Sequence, residues 1–138
     1  MNGHKTVTAN FSLIPATPTP NASSYYNKGE EYRATENWVM AIGEYTRAIG
    51  VNPNYTDAYF FRGYSYGELR QYQNAINDYD KAIQLDPNDD AAYNNRGLSY
   101  ANLDQYQLAI NDFTKSIQFD PDDWGAYLNR GVSYSNLG

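Results

Sequence analysis

Enzymatic chemistry needs side chains that move protons, attack carbonyls or hold metals, and this chain has few of them in any workable arrangement. Its only histidine is His4 and it has no cysteine. Neither a Cys/His nor a Ser/His pair can therefore be assembled for nucleophilic catalysis. The adjacent carboxylates Asp89-Asp90 and Asp122-Asp123 fall where helices should begin, and capping and the helix dipole account for them there. No phosphate-cradling glycine cluster exists; Gly29, Gly63, Gly97 and Gly131 stand 34 residues apart, one to a helix. What does recur is charge. Lys28, Arg62, Arg96 and Arg130 share one column of that period, and Glu44, Asp78 and Asp112 share another. A guanidinium suits a partly buried, two-pronged pair with a carboxylate, so the columns read as a structural ladder of paired charges. The competing reading is a basic stripe for an anionic ligand. No enzyme activity, cofactor or metal site is expected.

The elements that carry these columns follow from the same period. Pro53, Pro87 and Pro121 keep the step of 34, as do Tyr25, Tyr59, Tyr93 and Tyr127, and Tyr32, Tyr66, Tyr100 and Tyr134. Ala41-Ile42 returns as Ala75-Ile76 and Ala109-Ile110. A period of this length marks a repeat architecture. Within each period Tyr59, Arg62-Gly63 and Tyr66 lie on one helical face, and Ala75-Ile76, Tyr79 and Ala82-Ile83 on another. First helices are predicted near 22–35, 56–69, 90–103 and 124–137, second helices near 38–50, 72–84 and 106–118. Proline closes each second helix by forcing the residue before it out of the helical region, and the Asn or Asp that follows can cap the next helix. A mid-helix glycine costs about 1 kcal/mol against alanine, a cost usually accepted where a neighbouring helix comes close.

The chain has 138 residues, 41% of them hydrophobic, with 15 tyrosines and a net charge of −6. Tyrosine packs as an aromatic but wants its hydroxyl paired or wet, which favours a thin extended layer. The negative charge and the lack of a Lys/Arg cluster argue against nucleic acid and favour a neutral or basic protein partner. No apolar run is long enough to span a membrane, and no signal peptide is visible. The compartment is left open: cytoplasmic if the chain is complete, extracytoplasmic if a signal or anchor was removed. Residues 1–21 form a separate arm or linker ahead of the repeats. Ala16-Thr17-Pro18-Thr19-Pro20 is linker-like, and Val7, Ala9, Phe11 and Leu13 alternate with polar residues in a strand-like way. That segment reads either as a loose tail or as an extended arm lying in a groove.

The columns together resemble the tetratricopeptide repeat. Its pattern of large, small and aromatic positions closed by proline is met by Tyr25, Gly29, Tyr32, Ala41, Tyr45, Ala48 and Pro53, and twice more at steps of 34. The resemblance covers residues 22–138, as repeats 22–55, 56–89 and 90–123 and a partial repeat 124–138. It implies an all-α fold, a right-handed superhelix of antiparallel helix pairs whose first helices line a concave groove. It implies a non-catalytic scaffold that holds a peptide or helix of a partner, basic or apolar, in that groove. The corresponding groove residues are Tyr26, Glu30, Arg33, Asp57, Phe60, Tyr64, Glu68, Asn94, Leu98, Asn102 and Leu128. Tyr26, Phe60 and Tyr64 would anchor an apolar side chain, Glu30, Asp57 and Glu68 would meet a basic one, and Asn94 and Asn102 would bind a peptide backbone. Members that grip a chaperone's C-terminal carboxylate use a Lys/Asn/Arg clamp. The corresponding residues here are Tyr26, Glu30, Phe61, Ala91 and Asn95, and only the last could help. The partial fourth repeat leaves an apolar helix end, read as a cap, as a truncation, or as a self-association surface at Tyr127, Tyr134 and Leu137. The alternative function is accordingly a homo-oligomerisation module using that helix or the N-terminal arm.

Overall fold

The computed structural model describes residues 1–3 and 20–138, which contain seven α-helices: α1 (Ala22–Ala34), α2 (Trp38–Val51), α3 (Thr56–Glu68), α4 (Tyr72–Leu85), α5 (Asp90–Asn102), α6 (Tyr106–Phe119) and α7 (Trp124–Leu137). His4 and the strand-like alternation from Val7 to Leu13 lie outside the described residues. No strand occurs among the described residues, and the fold is an all-α helical repeat.

Each boundary has a local cause. The residues before the prolines, Asn52, Asp86 and Asp120, are extended, with φ of −132°, −131° and −124°, as a following proline requires. Their side-chain oxygens accept from the backbone N–H two residues on, at 3.1, 3.2 and 3.1 Å, which turns the chain. The capping residue is one place later than expected. Asp89 accepts from the N–H of Ala92, and Asp123 from those of Gly125 and Ala126. At the first junction Tyr55 holds this position and makes no side-chain cap. Within each repeat the first helix ends in a left-handed residue, Glu36, Arg70 or Asp104, with φ of 57°, 59° and 57°. The N–H groups of Asn37, Gln71 and Gln105 reach back to the carbonyls of Tyr32, Tyr66 and Tyr100. This is a helix-closing motif in which glycine is the usual occupant of the left-handed position.

Successive helices pack as a stack. α3 also touches α5 and α5 touches α7, whereas no two second helices come comparably close. First helices therefore line the inner, concave side. The core between helices of a pair is built from small residues and one ring. Ala41, Tyr45 and Ala48 of α2, Ala75, Tyr79 and Ala82 of α4, and Ala109, Phe113 and Ser116 of α6 are all buried. Each ring lies against the glycine of its partner helix. An added Cβ on Gly29 would stand 2.5 Å from Tyr45, on Gly63 3.1 Å from Tyr79, and on Gly97 2.8 Å from Phe113. Close approach is thus what the column of glycines secures. At Gly131 a Cβ would meet nothing within 4 Å, because among the described residues α7 packs only on its other side.

Candidate functional site

The charge columns lie between paired helices. Arg62 donates through Nε and Nη2 to Asp78, at 2.8 and 2.7 Å, and Arg96 does the same to Asp112, at 2.7 and 2.7 Å. Burial pushes the Asp78 and Asp112 carboxyls up, and the facing guanidinium pulls each part of the way back. The remaining nitrogen of each arginine ties in the preceding repeat: Arg62 Nη1 donates to Thr46 at 3.0 Å, and Arg96 Nη1 to Asp80 at 2.6 Å. The column Thr46, Asp80 and Thr114 was thus part of the network, a role sequence reasoning missed although its step of 34 was visible. The outer rungs differ. Lys28 stands 3.9 Å from Glu44, which pairs instead with Arg47 at 2.7 Å, and Glu44 Oε2 is buried without a partner. Arg130 meets no carboxylate among the described residues and bonds Thr114 at 3.2 Å.

The N-terminal part of the concave face is closed by the chain itself. Tyr26 packs against Tyr55 at 5.1 Å and against Tyr45 and Phe61, so burial pushes its hydroxyl up to about 12. Glu30 accepts from Arg33 at 3.0 and 2.7 Å and from the Tyr45 hydroxyl, which leaves little of it for a ligand's basic group. Arg33 lies over the Phe61 ring at 4.8 Å. Phe60 stacks edge-on against Phe61 and Tyr79 and serves packing more than an open groove. Asp57 and Glu68 are exposed, Tyr64 half-buried.

Further along, the face opens into two pockets of about 310 and about 180 Å³. The first has Tyr64, Glu68, Tyr72, Tyr79, Asn95, Leu98 and Asn102 in its wall. The second has Leu98, Asn102, Tyr106, Phe113, Asn129, Val132 and Asn136. Each residue of the second stands 34 after its counterpart in the first, so one pocket is built twice from the repeat. Leu98 and Asn102 belong to both and join them into a track. Asn95 and Asn102 each donate to the carbonyl four residues back, at 2.9 and 2.8 Å. Their side-chain oxygens, with Glu68, leave the track rich in acceptors. Asn94 faces α7 and accepts from Asn129 at 3.5 Å; Leu128 is exposed beside it in sequence. Counting back 34 residues from Asn95 gives Phe61, which with Arg33 occupies the place where a third pocket would lie. The pocket residues Asn95, Asn129, Tyr72 and Tyr106 were absent from the groove expected from sequence, although each pair shares one column. Tyr127, Tyr134 and Leu137 are exposed on α7.

Among the described residues no group of three His, Cys, Asp or Glu side chains could hold a metal, and no helix is long and apolar enough to cross a membrane.

A sequence model of the tetratricopeptide repeat matches residues 56–89 and 91–123. No curated protein matches the chain. Solved structures do. The first tetratricopeptide domain of Spaghetti (RPAP3), bound to the HSP90 peptide SRMEEVD, superposes with a TM-score of 0.83 at 22% identity, over 85% of this chain and 93% of that one. The second such domain of human RPAP3, in complex with the HSP70 peptide SGPTIEEVD, gives 0.79 at 24% identity, over 82% and 94%. The Arabidopsis OM64 domain gives 0.80 at 26% identity, over 83% and 94%.

Proposed function

The chain belongs to the tetratricopeptide repeat family, and from that membership we propose that it is a non-catalytic scaffold that holds an extended peptide of a partner protein along its concave face. The observation that carries this reading is the track of two equivalent pockets joined at Leu98 and Asn102. Neighbouring first helices sit about 10 Å apart, and a peptide in the extended polyproline II conformation advances about 3.1 Å per residue with about three residues to a turn, so that every third side chain faces the same way. A fitting peptide presents two apolar side chains about three residues apart. Its remaining groups should be donors, because Asn95 and Asn102 turn their amide nitrogens into their own helices and leave oxygens to the track. Glu68 and a net charge of −6 favour neutral or basic peptides over acidic ones. The solved relatives that carry HSP90 and HSP70 peptides support peptide binding as the mode. Their acidic ligands are poor candidates here, since Tyr26, Glu30, Phe61 and Ala91 occupy the clamp places.

A peptide library read by fluorescence polarisation tests this, with Leu98→Asp as the control protein. Neutral or basic peptides with two spaced apolar residues should bind, and Leu98→Asp should weaken them at least tenfold while melting like the parent. Equal binding by both proteins, or preferential capture of SRMEEVD, would sink the reading.

A further inference from the structure

We infer that the first pocket of the concave track reads an arginine of the bound peptide, its guanidinium held by Glu68 and the hydroxyl of Tyr79. This rests on the peptide reading above and narrows one of its two side chains. The apolar body that enters this pocket is the methylene stem of an arginine, which packs as an apolar side chain while its tip stays polar.

The chain carries a filled copy of the arrangement one repeat earlier. There the place of the pocket is taken by the protein's own Arg33, whose guanidinium lies over the Phe61 ring at 4.8 Å. It donates through Nε and Nη2 to Glu30, at 3.0 and 2.7 Å. Glu30 also accepts from the hydroxyl of Tyr45, so guanidinium, carboxylate and phenol close into one cluster. One period on, Gly67 stands in the column of Arg33, and Tyr79 in that of Tyr45. With no arginine side chain to fill it, the place opens as the pocket of about 310 Å³.

The group left behind is Tyr79. It is 2% exposed and lies in the pocket wall, and its hydroxyl has no hydrogen-bond partner among the described residues. Burial holds that phenol neutral far into alkali, and Tyr64, Asp78 and Glu68 add to the effect. A buried hydroxyl is costly to leave unpaired, so the side chain that enters must bring a polar tip. The sign of that tip is set by Glu68, an exposed carboxylate in the same wall. Asn95 adds an acceptor, since its amide nitrogen is spent on the Ala91 carbonyl. Arg70 also reaches the wall, but it is exposed and pairs with no carboxylate among the described residues, which leaves Glu68 to the ligand. A guanidinium presents a planar fork of N–H donors and meets carboxylate and phenol at once, as Arg33 does. An ammonium is a point charge without that fork. The second pocket makes no such demand. Its columns carry Leu98 for Tyr64, Asn102 for Glu68 and Phe113 for Tyr79, so it keeps an apolar side chain.

The test uses the full chain and short labelled peptides with arginine and leucine about three positions apart, in both orders, read by fluorescence polarisation. Norleucine in place of arginine keeps an apolar stem, and citrulline keeps the shape without the charge. Each should bind about tenfold more weakly or worse, and lysine should also bind more weakly than arginine. Glu68→Gln and Tyr79→Phe should each remove the preference for arginine and leave the norleucine peptide unaffected. Both should fold, since Glu68 is exposed and phenylalanine already stands in the Tyr79 column at Phe113. Gly67→Arg restores the filling seen in the first repeat. A Cβ there meets nothing within 4 Å, so that variant should fold and exclude the arginine peptide. Leu98→Asn, which adds no charge, marks binding in the track. Norleucine, citrulline or lysine peptides that match arginine and are lost with Leu98→Asn would overturn this inference and leave the track reading standing. So would an arginine preference that survives both Glu68→Gln and Tyr79→Phe, or unchanged binding by Gly67→Arg. Absence of binding, or binding indifferent to Leu98→Asn, would sink both.

Discussion

Alanine at the recurring glycine of each first helix opposes two effects whose sizes differ from site to site. In a helix interior alanine is favoured over glycine by about 1 kcal/mol. Against this stands the room for one methyl group. At Gly131 there is open space, so only the helical gain remains, and Gly131→Ala should stabilise the chain by about 1 kcal/mol. At Gly97 the methyl would lie 2.8, 3.0 and 3.1 Å from Phe113 atoms, and at Gly29 it would lie 2.5, 2.7 and 3.0 Å from Tyr45 atoms. Both rings are fully buried and cannot swing away. Overpacking of this kind costs typically 1–3 kcal/mol, and contacts this short belong at the upper end. Gly97→Ala should therefore lose about 1–2 kcal/mol net, and Gly29→Ala somewhat more. Gly63 is intermediate. Its methyl would meet Tyr79 at 3.1 Å, but also Asp78 Cβ at 3.2 Å and the Ala75 carbonyl at 3.3 Å, and a backbone carbonyl yields little. Urea unfolding followed by circular dichroism should rank the variants Gly131→Ala, parent, Gly63→Ala, Gly97→Ala, Gly29→Ala, from most to least stable. A destabilised Gly131→Ala, or a neutral Gly97→Ala, would refute the argument that close helix approach explains the column.

The remaining predictions concern charge. Lys28→Arg should give the first rung the two-pronged geometry of Arg62 and Arg96 and reach the unpartnered Glu44 Oε2, raising stability by about 1 kcal/mol in thermal unfolding. No gain would mean that oxygen is satisfied otherwise. Arg96→Ala strands the buried Asp112 and should cost about 3 kcal/mol while leaving peptide affinity on the concave track unchanged; a variant that melts like the parent but loses the peptide would return the ladder to a binding role. Stability should also fall in alkali. Tyr26 is pushed up to about 12 by burial first and then by Glu30 and Asp57, against about 10 in the unfolded chain. The folded state thus favours the neutral phenol, an advantage complete below pH ~10 and lost as pH rises toward 12. Tyr26→Phe should flatten that part of the melting-temperature profile, and an unchanged slope would exclude Tyr26 as its source.

The sequence by itself determined the period, the seven helices and their ends. These depend on short-range facts: proline after Asn or Asp, apolar residues at helical spacing, and the same pattern returning after 34 residues. The glycine column could likewise be read as close packing, since no other local reason exists for glycine at mid-helix. The tertiary structure decided where the concave face is open. Phe61 and Asn95 share a column, yet one fills its site under Arg33 and the other lines a pocket. The difference lies in side-chain volume measured against a neighbouring helix, which no single-helix pattern carries. Glu30, by sequence a ligand's partner, bonds Arg33 and Tyr45, because the Tyr45 hydroxyl needs an acceptor where it enters the groove. The loose first rung was also decided in space, where Lys28 stands 3.9 Å from Glu44 and Arg47 takes that carboxylate at 2.7 Å.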